Sequence, residues 1–280
     1  MDVSIIIVNY NTYSLVLDCI NTIYEKTKDI TFEIIVVDNL SPDRSIENLC
    51  SIYPDINLIL NTTNSGFGSG NNLGSNYASG KYLFFLNSDT LLLNNAIYEM
   101  FIFMEKNPSV GVCGGNLYHE DGMPAVSFEQ YFPGVYRDID ILLYSLMSKL
   151  RFGKNLVFNF NNGPLKINGY VSGADLFIPR DLFFSIGRFD EDFFMYYEET
   201  ELIHRVRRRN KEVFVLPQSK IIHLEGGSQM GINLKKMNWM KESKIKFFDK
   251  TNTKGLYLSN IIVQCIMFRD LLIKRVFFKK

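Results

Sequence analysis

Val3-Ser4-Ile5-Ile6-Ile7-Val8 runs straight into Asn9-Tyr10-Asn11, and this opening decides how the rest of the chain is read. An almost unbroken apolar, β-branched run marks a strand buried on both faces, as in a parallel sheet; a half-exposed strand would alternate. The signature returns at residues 32–37 (FEIIVV), 56–60 and 81–86 (KYLFFL). Between these runs the period becomes helical. Residues 14–25 place Leu15, Cys19, Ile20 and Ile23 on one face, residues 45–52 follow Pro42, and a further helix covers 95–106. Strand and helix alternating at this spacing predict an α/β fold: a doubly wound, mostly parallel, Rossmann-like sheet with right-handed crossovers.

Beyond a short strand at 110–112 the pattern loosens. Residues 119–165 lack a clean period apart from a helix near 139–150, as expected of an insertion over the sheet's carboxyl edge. Order returns with a strand at 170–178, helices at 181–186 and 198–209, and short strands at 213–216 and 221–222. The chain ends in a basic, amphipathic helix pair. With 46% hydrophobic and 21% charged residues, the 280-residue chain is composed for folding, so disorder is not the default.

Charge is balanced overall but uneven: residues 231–280 hold 12 Lys or Arg against 3 Asp or Glu. A basic end segment suits an anionic partner or a solvated helical face. Cys19, Cys50, Cys113 and Cys265 show no metal or redox spacing and read as free thiols in a reducing compartment. No leader is expected at the start, and the most apolar stretch, 256–268, is too short and polar to span a bilayer. A cytoplasmic location is therefore expected, with attachment at the inner face of the membrane; a homodimer could use the same basic surface. Nothing points to a nucleic-acid partner.

Ligands of open parallel sheets bind where strands end. The first strand ends in Asn9-Tyr10-Asn11, the second in Asp38-Asn39-Leu40-Ser41-Pro42-Asp43, the fourth in Asn87-Ser88-Asp89-Thr90. Each alone fits turn chemistry; three together predict a site. Asn64-Ser65-Gly66-Phe67-Gly68-Ser69-Gly70-Asn71-Asn72 supplies glycines that permit close backbone approach to a ligand. Its spacing and its place after the third strand argue against dinucleotide binding, and no phosphate-binding GxxxxGK[ST] loop occurs. Asp89 at a strand end can hold Mg²⁺ or Mn²⁺, or cap the helix that follows. Glu198, Glu199 and Glu201 open a helix behind the aromatic run Phe193-Phe194-Met195-Tyr196-Tyr197, where dipole complementarity or a tuned general base are both open readings. His223 follows a short strand and precedes a glycine turn at 226–228.

IIIVNYN, VVDNLSPD, NSGFGSGNN, LNSDT, SGADLFIPR, FDEDFFMYYEETEL and HLEGGS, in this order, resemble the family 2 glycosyltransferases of GT-A fold, especially their bacterial rhamnosyltransferase-like branch. The resemblance spans about residues 2–250. It implies a GT-A domain over 1–230, with a nucleotide-sugar half (1–118) and an acceptor and catalytic half (119–230), then a helical C-terminal extension over 231–280.

By that resemblance the nucleotide is bound by Asn9, Tyr10, Asp38, Asn39, Asn64, Gly66, Asn71, Asn87 and Ser88. A divalent metal, Mn²⁺ or Mg²⁺, is held by Asp89 and His223. Gly173, Ala174 and Asp175 border donor sugar and acceptor. The family's Glu-Asp pair is here Glu198-Glu199, which makes Glu199 the expected catalytic base, with Glu198 able to replace it. The implied activity is inverting transfer from a UDP- or dTDP-linked sugar, such as rhamnose, to a saccharide, lipid-linked or glycoprotein hydroxyl. A non-catalytic carbohydrate- or membrane-binding homologue and a sugar-phosphate nucleotidyltransferase are the alternatives. Membrane attachment is assigned to the basic end segment with Trp239, Phe247, Phe248, Phe277 and Phe278.

Overall fold

A computed structural model of the protein describes residues 1–224 and 234–277, with side chains through residue 270. The expected glycine turn at 226–228, the boundary at 230/231 and Phe278 lie outside the described residues. The parallel half forms as its apolar runs dictate. Strands β1 (Val3–Asn9), β2 (Phe32–Asp38), β3 (Asn57–Leu60) and β4 (Tyr82–Asn87) alternate with helices α1 (Tyr13–Lys26), α2 (Leu49–Ile52, after a 3₁₀ turn) and α3 (Phe67–Ser75). β1 pairs in parallel with both β2 and β4, and β2 with β3.

The chain continues through β5 (Thr90–Leu92), α4 (Ala96–Lys106), β6 (Val110–Tyr118), β7 (Phe128–Glu129), α5 (Val135–Leu142), α6 (Leu146–Phe152), β8 (Leu165–Lys166) and β9 (Tyr170–Val171). It closes with β10 (Asp175–Pro179), α7 (Arg180–Ser185), α8 (Glu198–Arg208), β11 (Glu212–His223), α9 (Leu234–Lys250) and α10 (Leu256–Phe277). The main sheet runs β3-β2-β1-β4-β10-β6-β11-β5, with β8 beside β11; β7 and β9 form a separate pair.

Both faces are covered, as continuous apolar strands require. Ile5 and Ile7 face α1 and α4 through Val16, Ile20, Ile97 and Met100; Ile6, Ile35 and Phe85 face α7 and α8 through Phe183, Leu202 and Val206. Three local expectations change. The strand expected over 170–178 divides at Ser172–Ala174 between the two sheets, and β10 enters the main sheet antiparallel to β4 and β6. The helix near 139–150 breaks at Tyr144 and Ser145, both at positive φ. The strands at 213–216 and 221–222 are one strand, β11, bulged between Leu216 and Lys220.

The end helices dock on the core. Phe247 and Phe248 are buried with Phe193, and the Trp239 ring lies 4.9 Å from that of Phe194. Lys250 pairs with Asp190 and Asp192 at 2.6 and 2.5 Å, and Ser243 donates to the Met195 carbonyl at 2.8 Å. α9 thus clamps the loop that leads into α8.

Candidate active site

The carboxyl ends of β1 and β2 lock together. Asn9 is 1% exposed and donates Nδ2 to Asp38 Oδ1 at 2.6 Å, while the Ser41 hydroxyl and amide donate to the two Asp38 oxygens at 2.5 and 2.9 Å. Asp38 therefore accepts three hydrogen bonds from neutral groups and retains acceptor capacity. Asn39, also buried, donates to the Gly66 carbonyl at 2.8 Å and accepts from Asn61 at 3.0 Å. Tyr10, by contrast, is 49% exposed beside this cradle. Asn11 and Leu40, in the two turns, both hold positive φ, a cost that clusters at functional loops.

The glycine-rich stretch packs against the chain that leads into α8. Gly66 has φ +87° and ψ −179°, and a Cβ there would sit 2.1 Å from the Phe194 carbonyl oxygen. The close approach is made by the backbone leading into α8, which also accepts from Phe67 N at 3.0 Å. Asn64 accepts from Gly66 N at 3.2 Å, and Asn71, 1% exposed, turns back to the Phe67 carbonyl at 3.1 Å. Asn72 bridges to Phe189 through both its amide atoms, at 2.9 and 3.0 Å. The stretch thus ties the β1–β4 part of the sheet to the loop before α8.

At the end of β4 the chain turns into β5, which pairs with β11 so that Thr90 lies opposite His223. This register brings His223 Nε2 within 3.3 Å of both Asp89 Oδ1 and Asn87 Nδ2. Both Asp89 and His223 side chains are over four-fifths buried. Ser88 Oγ lies 3.0 Å from Thr12 Oγ1, tying this turn to the end of β1. One carboxylate oxygen and one imidazole nitrogen facing each other fit a divalent cation whose other ligands are phosphate oxygens and water. Among the described residues no group of three or more His, Cys, Asp and Glu converges.

Asn87 N donates to the Ala174 carbonyl at 2.9 Å, which joins the Asp89 turn to Gly173 and Ala174. Gly173 in turn faces Glu199: a Cβ there would touch Glu199 Cγ at 3.4 Å. Glu199 is partly exposed and accepts from Thr200 Oγ1 at 3.1 Å. Glu198 points inward, 4% exposed and packed against Gly68, with Oε2 lacking a hydrogen-bond partner. Burial raises both carboxyls, and the Glu199 charge raises Glu198 further. Tyr196 and Tyr197, just before the pair, are both left-handed. Asp175 is fully buried, accepts from Gly115 N at 2.5 Å and is pushed well up by burial; its side chain belongs to the sheet interior.

Sequence reasoning assigns no individual role to Thr12, Ser41, Asn61 and Asn72, which orient the others. Ser41 has a signal, as the hydroxyl three residues after Asp38 in a turn where the Asp38 carboxylate accepts its amide and hydroxyl. Asn61 and Asn72 had none, because their partners lie 22 and 117 residues away.

Known proteins resemble this chain along most of its length. The low-salt glycan biosynthesis hexosyltransferase Agl10 of Haloferax volcanii is 29% identical over 213 residues, 75% of this chain. The chain spans 62% of that protein's length. The dTDP-rhamnosyl transferase RfbF of Shigella flexneri is 23% identical over 229 residues, covering 80% of this chain and 71% of that one. The crystal structure of GalNAc-T7 with UDP, GalNAc and Mn²⁺ aligns with 92% of this chain and 56% of its own at TM-score 0.63 and 16% identity, so the fold is GT-A. Residues 4–156 match the family model for glycosyl transferase family 2, and the chain belongs to that family.

Proposed function

We propose that the protein is a metal-dependent, inverting glycosyltransferase that moves a sugar from a UDP- or dTDP-linked donor to a hydroxyl of a saccharide-bearing acceptor. The observation that carries the reading is continuity: Asp89 and His223 connect through Asn87 and Ala174 to Gly173, against which Glu199 rests. This continuity supports a reading in which the diphosphate end of a donor and the base for an acceptor share one edge of the sheet.

In this reading the Tyr10 ring covers the base, and Asp38 uses its remaining acceptor capacity on the base edge, with Asn9, Asn39 and Ser41 holding it in place. Asn64 and Gly66 fix the loop behind it. With a divalent cation bound at Asp89 and His223, the chemistry supplied there is neutralisation of charge on the leaving diphosphate. Glu199 accepts the acceptor's proton while its oxygen bonds to the anomeric carbon from the far side. The bond to the diphosphate breaks, and the electron pair leaves with the nucleoside diphosphate. One displacement inverts the centre and needs one base.

The glycan names of the relatives support a role in surface-polysaccharide or glycan synthesis, and the rhamnosyl relative supports testing dTDP-rhamnose first. The test is release of nucleoside diphosphate from UDP- and dTDP-sugars with Mn²⁺ or Mg²⁺ and a saccharide acceptor, with the product anomer read by NMR. An inverted linkage is expected. Retained configuration would refute the single displacement, and no release with any donor would favour a non-catalytic binding protein.

A further inference from the structure

Three of the five aromatics expected at a membrane contact lie elsewhere: Phe247 and Phe248 are core, and Trp239 packs on Phe194, while the side chains of Phe277 and Phe278 lie outside the described residues. A different face is open. α10 binds α5 through Ser259, which donates to Asp138, and through Ile262, 7% exposed. Its opposite side presents Tyr257 (81% exposed), Ile261 (39%) and Phe268 (64%), at helical spacing i, i+4 and i+11, with Leu258 beside them. Arg269 joins this helix to the α5–α6 turn: its guanidinium lies 4.2 Å from the Tyr144 ring and donates to the Ile141 and Leu142 carbonyls. There Tyr144 is 57% exposed and Leu150 of α6 is 81% exposed.

Charge on these elements is one-sided. Residues 141–174 contain Lys149, Arg151, Lys154 and Lys166 and no acid, and from residue 251 onward Asp270 is the single acid against six Lys or Arg. Asp138 and Asp140 of α5 are 3% exposed and turned inward, so they do not oppose an anionic surface. Lys149, Arg151, Lys154 and Lys254 are exposed. No described helix is long and apolar enough to cross a membrane. An exposed apolar stripe that carries Tyr257, in a helix too polar to insert across and in a part of the chain where cations outnumber acids, has the chemistry of a helix lying in the headgroup region.

We propose that the outer face of α10, with the adjoining α5–α6 turn, docks on an anionic lipid surface. The inference is independent of which donor or acceptor the site takes. The test is co-sedimentation of the full chain with phosphatidylcholine vesicles, with and without phosphatidylglycerol. Binding is expected to the anionic vesicles at low salt and to fall as salt rises. Tyr257→Ser with Phe268→Ser is expected to abolish it. Each of Lys149→Gln, Arg151→Gln and Lys154→Gln should lower partitioning about fivefold.

Because these side chains are exposed, thermal unfolding should be unchanged, which separates lost docking from lost folding. The proposal is overturned by absence of binding to anionic vesicles or by equal binding to phosphatidylcholine alone. It is also overturned if the variants bind like the parent, or if a concentration-dependent dimer is broken by the Tyr257 and Phe268 changes. That last result would make the face a contact between copies.

Discussion

Glu199→Gln is expected to lower turnover by about 10²- to 10⁴-fold, the usual worth of a positioned general base, while nucleotide binding is retained. Glu198→Gln is expected to cost far less, about tenfold or below, because the two carboxyls occupy unequal places. Glu198 is 4% exposed, with one oxygen unpartnered, and is held toward its neutral form by burial and by the charge beside it. A neutral carboxylic acid cannot take the acceptor's proton, and an amide of the same shape replaces it with little loss. Glu199 is partly exposed beside Gly173, where an acceptor hydroxyl can reach it.

Burial also raises Glu199 above the usual 4.5. The base must be ionised to work, so kcat/KM should fall as pH drops through that raised value. The acid limb of the profile should therefore lie above 4.5 and vanish in Glu199→Gln. Equal losses in the two variants would mean that the pair acts as a unit, and a reversed order would make Glu198 the base.

Gly66→Ala is expected to destabilise the fold by about 3 kcal/mol or more, or roughly 6–12 °C in thermal midpoint. Its φ of +87° with ψ of −179° belongs to a region that only glycine adopts readily, and the new methyl would meet the Phe194 carbonyl. Gly122→Ala is the control: φ is +81°, but nothing lies within 4 Å of its Cβ position, so only backbone strain of about 1 kcal/mol applies. The difference between the two combines the contact with the backbone before α8 with the rarer backbone region that Gly66 occupies. Equal midpoints would show that the Gly66–Phe194 contact does not tie the two halves together.

The buried strands were legible because a two-sided buried strand has one sequence signature, and the three polar strand ends followed directly from where those runs stop. Direction was not legible: β10 is buried like its parallel neighbours, and nothing in Asp175–Pro179 records that it runs the other way. β5 was missed because three residues after a turn carry no period, yet its register against β11 is what delivers His223 to Asp89. The contact of Gly66 with Phe194 is illegible for the same reason. Its partner, Phe194, is 128 positions away, and a glycine that admits a ligand looks in sequence like one that admits a backbone. The proposed metal and base residues rest on family order, whereas the inequality of the carboxylate pair, with Glu198 inward and Glu199 partly exposed, comes only from burial.

The most direct test of the donor site is thermal unfolding with UDP or dTDP, each with and without Mn²⁺ or Mg²⁺, for the parent chain and Asp89→Ala. A nucleotide at about 100 times its Kd should add roughly 2.7 kcal/mol to the parent's stability, only when the cation is present, and nothing comparable to Asp89→Ala. Stabilisation of both proteins to the same extent without metal would contradict a cation held by Asp89 and His223. No stabilisation by either nucleotide would contradict the donor site itself.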